Sequence, residues 1–312
     1  MSFFALVLAL LIEQARPLSA SNAVHNALTL WVRWVSRQSD NGQRGHAWLA
    51  WGLSVLAPAL VAGVVFVVLG WFSAVLAFVW LVLVLYLTLG FRQFSHHFTQ
   101  VRDALHNGQE DVARQAFERW FPGVVPPGQS AVWIKPFLAY SVVSAHRHVF
   151  GVITAFLLLW WLGLGPAGAV LYRLAEYASR QWVPGRERAG DPGPSEALQG
   201  VSSAGWRVID WLPARATASA FAVVGNFEEA VASWRSESVA HGRDGDGVVL
   251  AAAAGALNVR LVDERDLPLD GPSVGRPEPT SGHLGSTVGL VWRSVVLAML
   301  LLALLGLARL PL

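Results

Sequence analysis

From Ala47 to Leu89 the chain carries no charged side chain. At about 1.5 Å of helical rise per residue, such a stretch can cross a hydrocarbon core of about 30 Å twice. It therefore reads as a transmembrane hairpin with its turn near Gly70. Trp48, Trp51, Trp71, Trp80 and Tyr86 suit either anchoring at the lipid boundary or packing between helices. Composition agrees: of 312 residues, 54% are hydrophobic and only 14% charged, with mean hydropathy +0.45, where a soluble domain carries about 25% charge.

Cysteine is absent, which removes disulfides, thiolate nucleophiles, cysteine-ligated zinc and iron–sulfur clusters from consideration. Net charge is +2, and of 23 cationic side chains only Lys135 is a lysine. We read the arginine excess as compositional bias, and no nucleic-acid partner is expected. Met1 to Ile12 is apolar but lacks a preceding cation, so it resembles a signal peptide only loosely. It reads as a retained short helix packed on the other spans, or as a partial insertion. Arg16, Arg33, Arg37 and Arg44 precede the hairpin, and Arg92, Arg102, Arg114, Arg119 and Lys135 follow it. An even number of crossings puts both groups on one face, which the positive-inside rule makes cytoplasmic.

Beyond the hairpin, Phe91 to Trp120 reads as helix, turn, helix, with the break at Asn107-Gly108. Phe94, Phe98, Val101 and Leu105 form an apolar stripe on the first helix, as do Val112, Ala113, Ala116 and Phe117 on the second. A third apolar run, Val149 to Leu164, ends at Gly163, Gly165, Pro166 and Gly168, and a moderately apolar helix resumes from Ala167 to Tyr177. A helix broken at membrane depth needs protein or a cavity to cover the freed backbone groups. Gln181 to Gly205 reads as a flexible loop, Val208 to Gly225 as a weaker membrane segment beginning near Pro213, Asp266 to Gly285 as a linker, and Gly289 to Leu307 as the final span.

The expected architecture is an all-α polytopic integral membrane protein with about four or five membrane segments and a cytoplasmic helical hairpin. Its parts are an N-terminal helix and polar segment (1–46), the transmembrane hairpin (47–90), a cytoplasmic helix-turn-helix region (91–148), broken membrane helices with a Gly/Pro-rich loop (149–225), a polar loop region (226–285) and a C-terminal transmembrane helix (286–312).

Three blocks carry a family resemblance. The first is His97-x3-Val101-x3-Leu105, followed by Gly108 and Ala113-Arg114. The second runs Pro166-Ala167-Gly168-Ala169-Val170-Leu171-Tyr172-Arg173, and the third is Asp210-Trp211-Leu212-Pro213-Ala214-Arg215. Weaker echoes follow in Trp234-Arg235 and from Ala254 to Leu261. In this order and spacing they resemble the CobD/CbiB family of adenosylcobinamide-phosphate synthases and, more distantly, the AmpE family of inner-membrane regulatory proteins. The resemblance implies a bacterial inner-membrane location and, for an active synthase, ATP, magnesium and a corrinoid substrate. It also marks His97, Arg114, Tyr172, Arg173, Asp210 and Arg215 as candidate ligand-binding residues, with no catalytic residue assigned.

The chain departs from the enzymes at specific places. Their acidic Glu-Asn-Thr-Ser-Asp-Gly stretch is replaced by His146-Arg147-His148-Val149-Phe150-Gly151, an aspartate by Ser179, and an Asp-Asp pair by Trp206-Arg207. Magnesium takes hard oxygen ligands and phosphoryl chemistry rests on its charge, so these losses bear on activity. Two readings stand: a cobalamin-pathway ligase joining an aminopropanol phosphate to adenosylcobyric acid, or a non-catalytic AmpE-like sensor or scaffold. A transporter is disfavoured because no inverted pair of interrupted spans is present.

Physical cost points to the same candidates. A charge at mid-bilayer costs roughly 2.5–3.5 kcal/mol and faces a cavity or a partner. Asp210 and Arg215 are thus expected in a polar pocket with Glu13, Arg173 and Glu176. Arg114 suits an anionic group through its planar fork, or a helical pair with Glu110 or Glu118. His146 and His148, two apart, suit lipid phosphates or a helix cap better than a metal, and no metal site is expected. Membrane lipid and a corrinoid small molecule are the expected partners, and oligomerisation stays open.

Overall fold

In the computed structural model, residues 2–15, 23–123, 128, 130–183, 193–241, 244–262 and 271–308 are described. Among them there is no β-strand. The helices are α1 (Ser2–Ala15), α2 (Ala23–Ser39), α3 (Arg44–Trp51), α4 (Ala57–Phe72), α5 (Ala74–Thr88), α6 (Phe91–His106), α7 (Glu110–Trp120), α8 (Ser130–Ala145), α9 (Gly151–Trp161), α10 (Ala167–Gln181), α11 (Glu196–Val224), α12 (Phe227–His241), α13 (Gly245–Leu257) and α14 (His283–Leu307). A π-helical turn at Gly52–Leu56 joins α3 to α4, and another at His146–Phe150 joins α8 to α9.

Among the described residues, three continuous helices are long and apolar enough to cross a bilayer: Arg44–Phe72, Ser130–Trp161 and His283–Leu307. Ser2–Ala15, Ala74–Thr88 and Gly245–Leu257 are apolar but shorter. The chain is an all-α membrane protein, and its exposed surface supports this. Trp71 is 81% exposed and Phe72 78%, a surface that suits lipid and not water.

Several boundaries differ from the sequence reading. The hairpin turns at Ser73 and not at Gly70, because Ser73 adopts extended backbone and its hydroxyl accepts from the Val75 N–H, capping α5. Gly70 has no such side chain and stays inside α4. The third apolar helix begins at Ser130, upstream of Val149, since the π turn carries the helix through His146-Arg147-His148. The segment expected to begin near Pro213 is part of α11, which starts at Glu196 and holds Pro213 inside. Ser195 explains that start: its Oγ accepts from the Leu198 N–H and is itself held by Asp40 at 2.5 Å. Of the loop expected from Gln181 to Gly205, residues 184–192 lie outside the described residues, as do 263–270 of the expected linker.

The chain divides into two units, Met1–Gly90 with Gly151–Trp211, and Phe91–Phe150 with Leu212–Leu312. In the first, α1 packs on α5, α4 on α5, and α10 on α9, α4 and α5. Glycines permit the approach of α10. A Cβ on Gly168 would lie 1.9 Å from the Ala155 carbonyl oxygen, and one on Gly63 3.0 Å from that of Leu164. Trp80 Nε1 donates to the Ala62 carbonyl at 3.0 Å, fastening α5 to α4.

In the second unit, α6 and α7 form the expected hairpin, turning at Gly108 with φ +72. Their stripes bury Phe98 and Phe117 against Trp133 and Phe137 of α8, with Phe94 packed on Phe98 and Trp120. The α12 and α13 helices pack backbone to backbone, with Gly255 where a Cβ would lie 2.3 Å from the Glu229 carbonyl oxygen. Asn258 ends α13 in the left-handed region, φ 52.

Candidate functional site

The first unit brings Tyr172 of the second sequence block and Asp210 of the third together. The hydroxyl edge of the Tyr172 ring lies against Gly151, where a Cβ would stand 2.1 Å from it. From there the phenol donates to Asp210 Oδ1 at 2.8 Å, and both residues are fully buried. Trp206, one turn before Asp210 on α11, packs on the Tyr172 ring with centroids 5.1 Å apart. A carboxylate inside an apolar unit is held by hydrogen bonding, and Tyr172 supplies one such bond.

One turn along α10, Glu176 is also fully buried. Arg180 meets it at 2.6 Å and Arg173 at 3.3 Å. The two guanidiniums reach the carboxylate from less buried positions, keeping part of each cation near the polar surface. Of the residues expected in one pocket, the structure therefore joins Arg173 to Glu176 and Asp210 to Tyr172. Glu13 is buried on α1. Arg215 belongs to the second unit, where it is half-buried.

His97 and Arg114 lie in the second unit. His97 stacks on Trp120, centroids 5.4 Å apart and planes at 21°. Burial is the main cause that lowers its pKa below the ordinary 6.5, and the neighbouring His96 and Arg119 lower it further. It is therefore a neutral imidazole near pH 7. Arg114 is half-buried and makes no ion pair with Glu110 or Glu118 among the described residues; Glu110 instead accepts from the Ser130 hydroxyl at 2.6 Å.

The histidines of the π turn bond within the protein. His146 is buried with Nδ1 2.9 Å from Thr217 Oγ1, and His148 Nδ1 lies 3.0 Å from the Ser144 carbonyl. Arg147 between them forms a double contact with Asp246, Nη2 donating to Oδ2 at 2.5 Å. These protein contacts engage the side chains expected to meet lipid phosphates or to cap the following helix.

The sequence reading missed a polar network in the second unit. Glu237 of α12 is fully buried and accepts from the Ser273 N–H at 2.7 Å and hydroxyl at 2.5 Å. Arg276 donates to the hydroxyls of Ser233 and Ser273 and pairs with Glu229. His241 Nδ1 lies 3.0 Å from the Glu237 carbonyl, and burial is the largest cause lowering its pKa. The stretch around Ser273 and Arg276, expected to be a bare linker, is bound to α12. One signal was present: Ala230, Ser233 and Glu237 recur at helical spacing on the buried face, so Glu237 stands where an apolar residue belongs. At the same segment, burial raises the pKa of Glu278, but hydrogen bonds from Arg260 and Lys135 outweigh it and hold the carboxyl below its ordinary range.

Magnesium needs several hard oxygen donors. Among the described residues no group of three or more acidic or histidine side chains is gathered to hold an ion. In the first unit Glu176 is matched by two arginines. The donor set does not fit a metal site built from protein alone.

Comparison with known proteins supports the family resemblance. The chain is 27% identical over 271 residues to a protein of Stutzerimonas stutzeri named cobalamin biosynthesis protein CobD, covering 85% of this chain and 83% of that protein. It is 29% identical over 218 residues to a CobD of Chromobacterium violaceum, covering 69% and 66% respectively. No family model and no solved structure matches the chain.

Proposed function

We propose that this chain, similar to the CobD cobalamin-biosynthesis proteins along most of its length, acts in cobalamin assembly as a multi-pass protein of the bacterial inner membrane. In this reading it joins an aminopropanol phosphate to adenosylcobyric acid through an amide bond. The observation that carries it is the buried Tyr172–Asp210 hydrogen bond, which ties the Pro166–Arg173 block to Asp210, the first residue of the third block, inside one unit. Arg114, Arg173 and Arg215 carry forks suited to phosphate or carboxylate. ATP and magnesium would arrive with the substrates, the cation held chiefly by phosphate oxygens.

A second reading has its own support. The enzymes' acidic stretch is replaced by His146 to Gly151, and Glu176, a buried acid near the site, is neutralised by Arg173 and Arg180. Both features suit a non-catalytic AmpE-like sensor or scaffold. Growth of a strain lacking the synthase, supplied with cobyric acid, separates the two. Rescue by this chain, lost on Arg215→Ala with normal membrane insertion, supports the ligase. Failure with well-expressed protein sinks the ligase and leaves the scaffold.

A further inference from the structure

Helix α2 shows two opposed faces. Val32 and Val35 are buried, and the Tyr177 hydroxyl ties the helix inward by donating to Thr29 at 2.6 Å. On the opposite face Ala27, Leu30, Trp31 and Trp34 are exposed. Leu30 is 66% and Trp34 56% exposed, and the Trp31 and Trp34 rings stack at 5.5 Å. Steps of three and four place these side chains on one stripe. Arg33 and Arg37, also four apart, form a row along one edge of that stripe, and the helix contains no acidic residue. Five residues after α2 ends, the membrane-length helix Arg44–Phe72 begins with Trp48 and Leu49 exposed.

We infer that α2 lies in the plane of the membrane interface, with its Leu30–Trp31–Trp34 stripe in the acyl boundary and Arg33 and Arg37 on anionic lipid headgroups. Three features carry this. The exposed stripe is too apolar for water yet is bordered by cations, the composition of an interfacial helix. Indoles favour the boundary between acyl chain and headgroup. The adjoining helix fixes the bilayer within a few residues of the C-terminal end of α2. Charge complementarity selects anionic over zwitterionic lipid, by roughly fivefold for each arginine near the surface.

The cysteine-free chain allows a direct test. Full-length protein carrying Leu30→Cys or Trp34→Cys is nitroxide-labelled and placed in vesicles of phosphatidylcholine, with or without phosphatidylglycerol. Collision with oxygen and with a water-soluble nickel chelate is read against Gln109→Cys, exposed on the α6–α7 turn. The expected oxygen-to-nickel ratio at both sites is several-fold above that at Gln109→Cys, higher again with phosphatidylglycerol, and the lipid increment disappears in Arg33→Gln/Arg37→Gln. Ratios equal to Gln109→Cys overturn the placement. A ratio indifferent to phosphatidylglycerol overturns the headgroup assignment. Dipolar broadening between labels assigns the face to a second copy and overturns both.

Discussion

At the scale of single residues, burial sets what each candidate can do. Tyr172 and Asp210 are both sealed from solvent, so their bond at 2.8 Å competes with no water. Tyr172→Phe keeps the ring against Gly151 and removes one donor from the carboxylate. We expect a loss of about 1.5–3 kcal/mol, read by denaturant unfolding in detergent, with a loss of growth rescue if Asp210 serves the site. His97 behaves differently, since burial against Trp120 favours its neutral form. The unfolded chain binds the proton more readily, so this contribution to stability is full above 6.5 and is lost as pH falls from there through the lower folded value. The imidazole resonances of His97 should titrate below 6.5, and Trp120→Ala should move that midpoint upward by restoring solvent. A midpoint unmoved by Trp120→Ala would mean that the stacked ring does not desolvate His97.

At the scale of elements, small residues and turns decide which helices meet. Gly168 faces backbone, not a side chain: its added Cβ would meet the Ala155 carbonyl oxygen at 1.9 Å, and backbone cannot rotate aside. Gly168→Ala should therefore push α10 from α9 and cost about 1–3 kcal/mol or more, whereas Gly45→Ala, with nothing within 4 Å, serves as a neutral comparison. Equal melting temperatures for the two variants would refute the close packing. The π turns act in the other direction. Each adds a residue to a helical turn and re-aims the helix beyond it, and the second places His146 inward and Arg147 against Asp246.

At the scale of the whole molecule, three membrane-length helices and broad exposed apolar surface predict that the protein stays dispersed only in detergent or lipid. Dilution below the critical micelle concentration should precipitate it, followed by light scattering or size exclusion; a monodisperse particle in plain buffer would refute the membrane assignment. The uncharged run from Ala47 to Leu89, the stripes of α6 and α7 and the Asn107-Gly108 break determined the all-α membrane character and one hairpin, because hydropathy, period and turn chemistry are local properties. The three motif blocks likewise named the residues to watch. Only the tertiary structure decided that Asp210 meets Tyr172, that Glu176 is sealed from solvent, and that Glu237 anchors the Ser273–Arg276 segment. It also decided that the α5 cap is Ser73 and that Ser195 starts a helix running through Pro213. These outcomes rest on contacts between distant residues and on hydroxyls that compete for backbone N–H groups, whose partners no local pattern specifies.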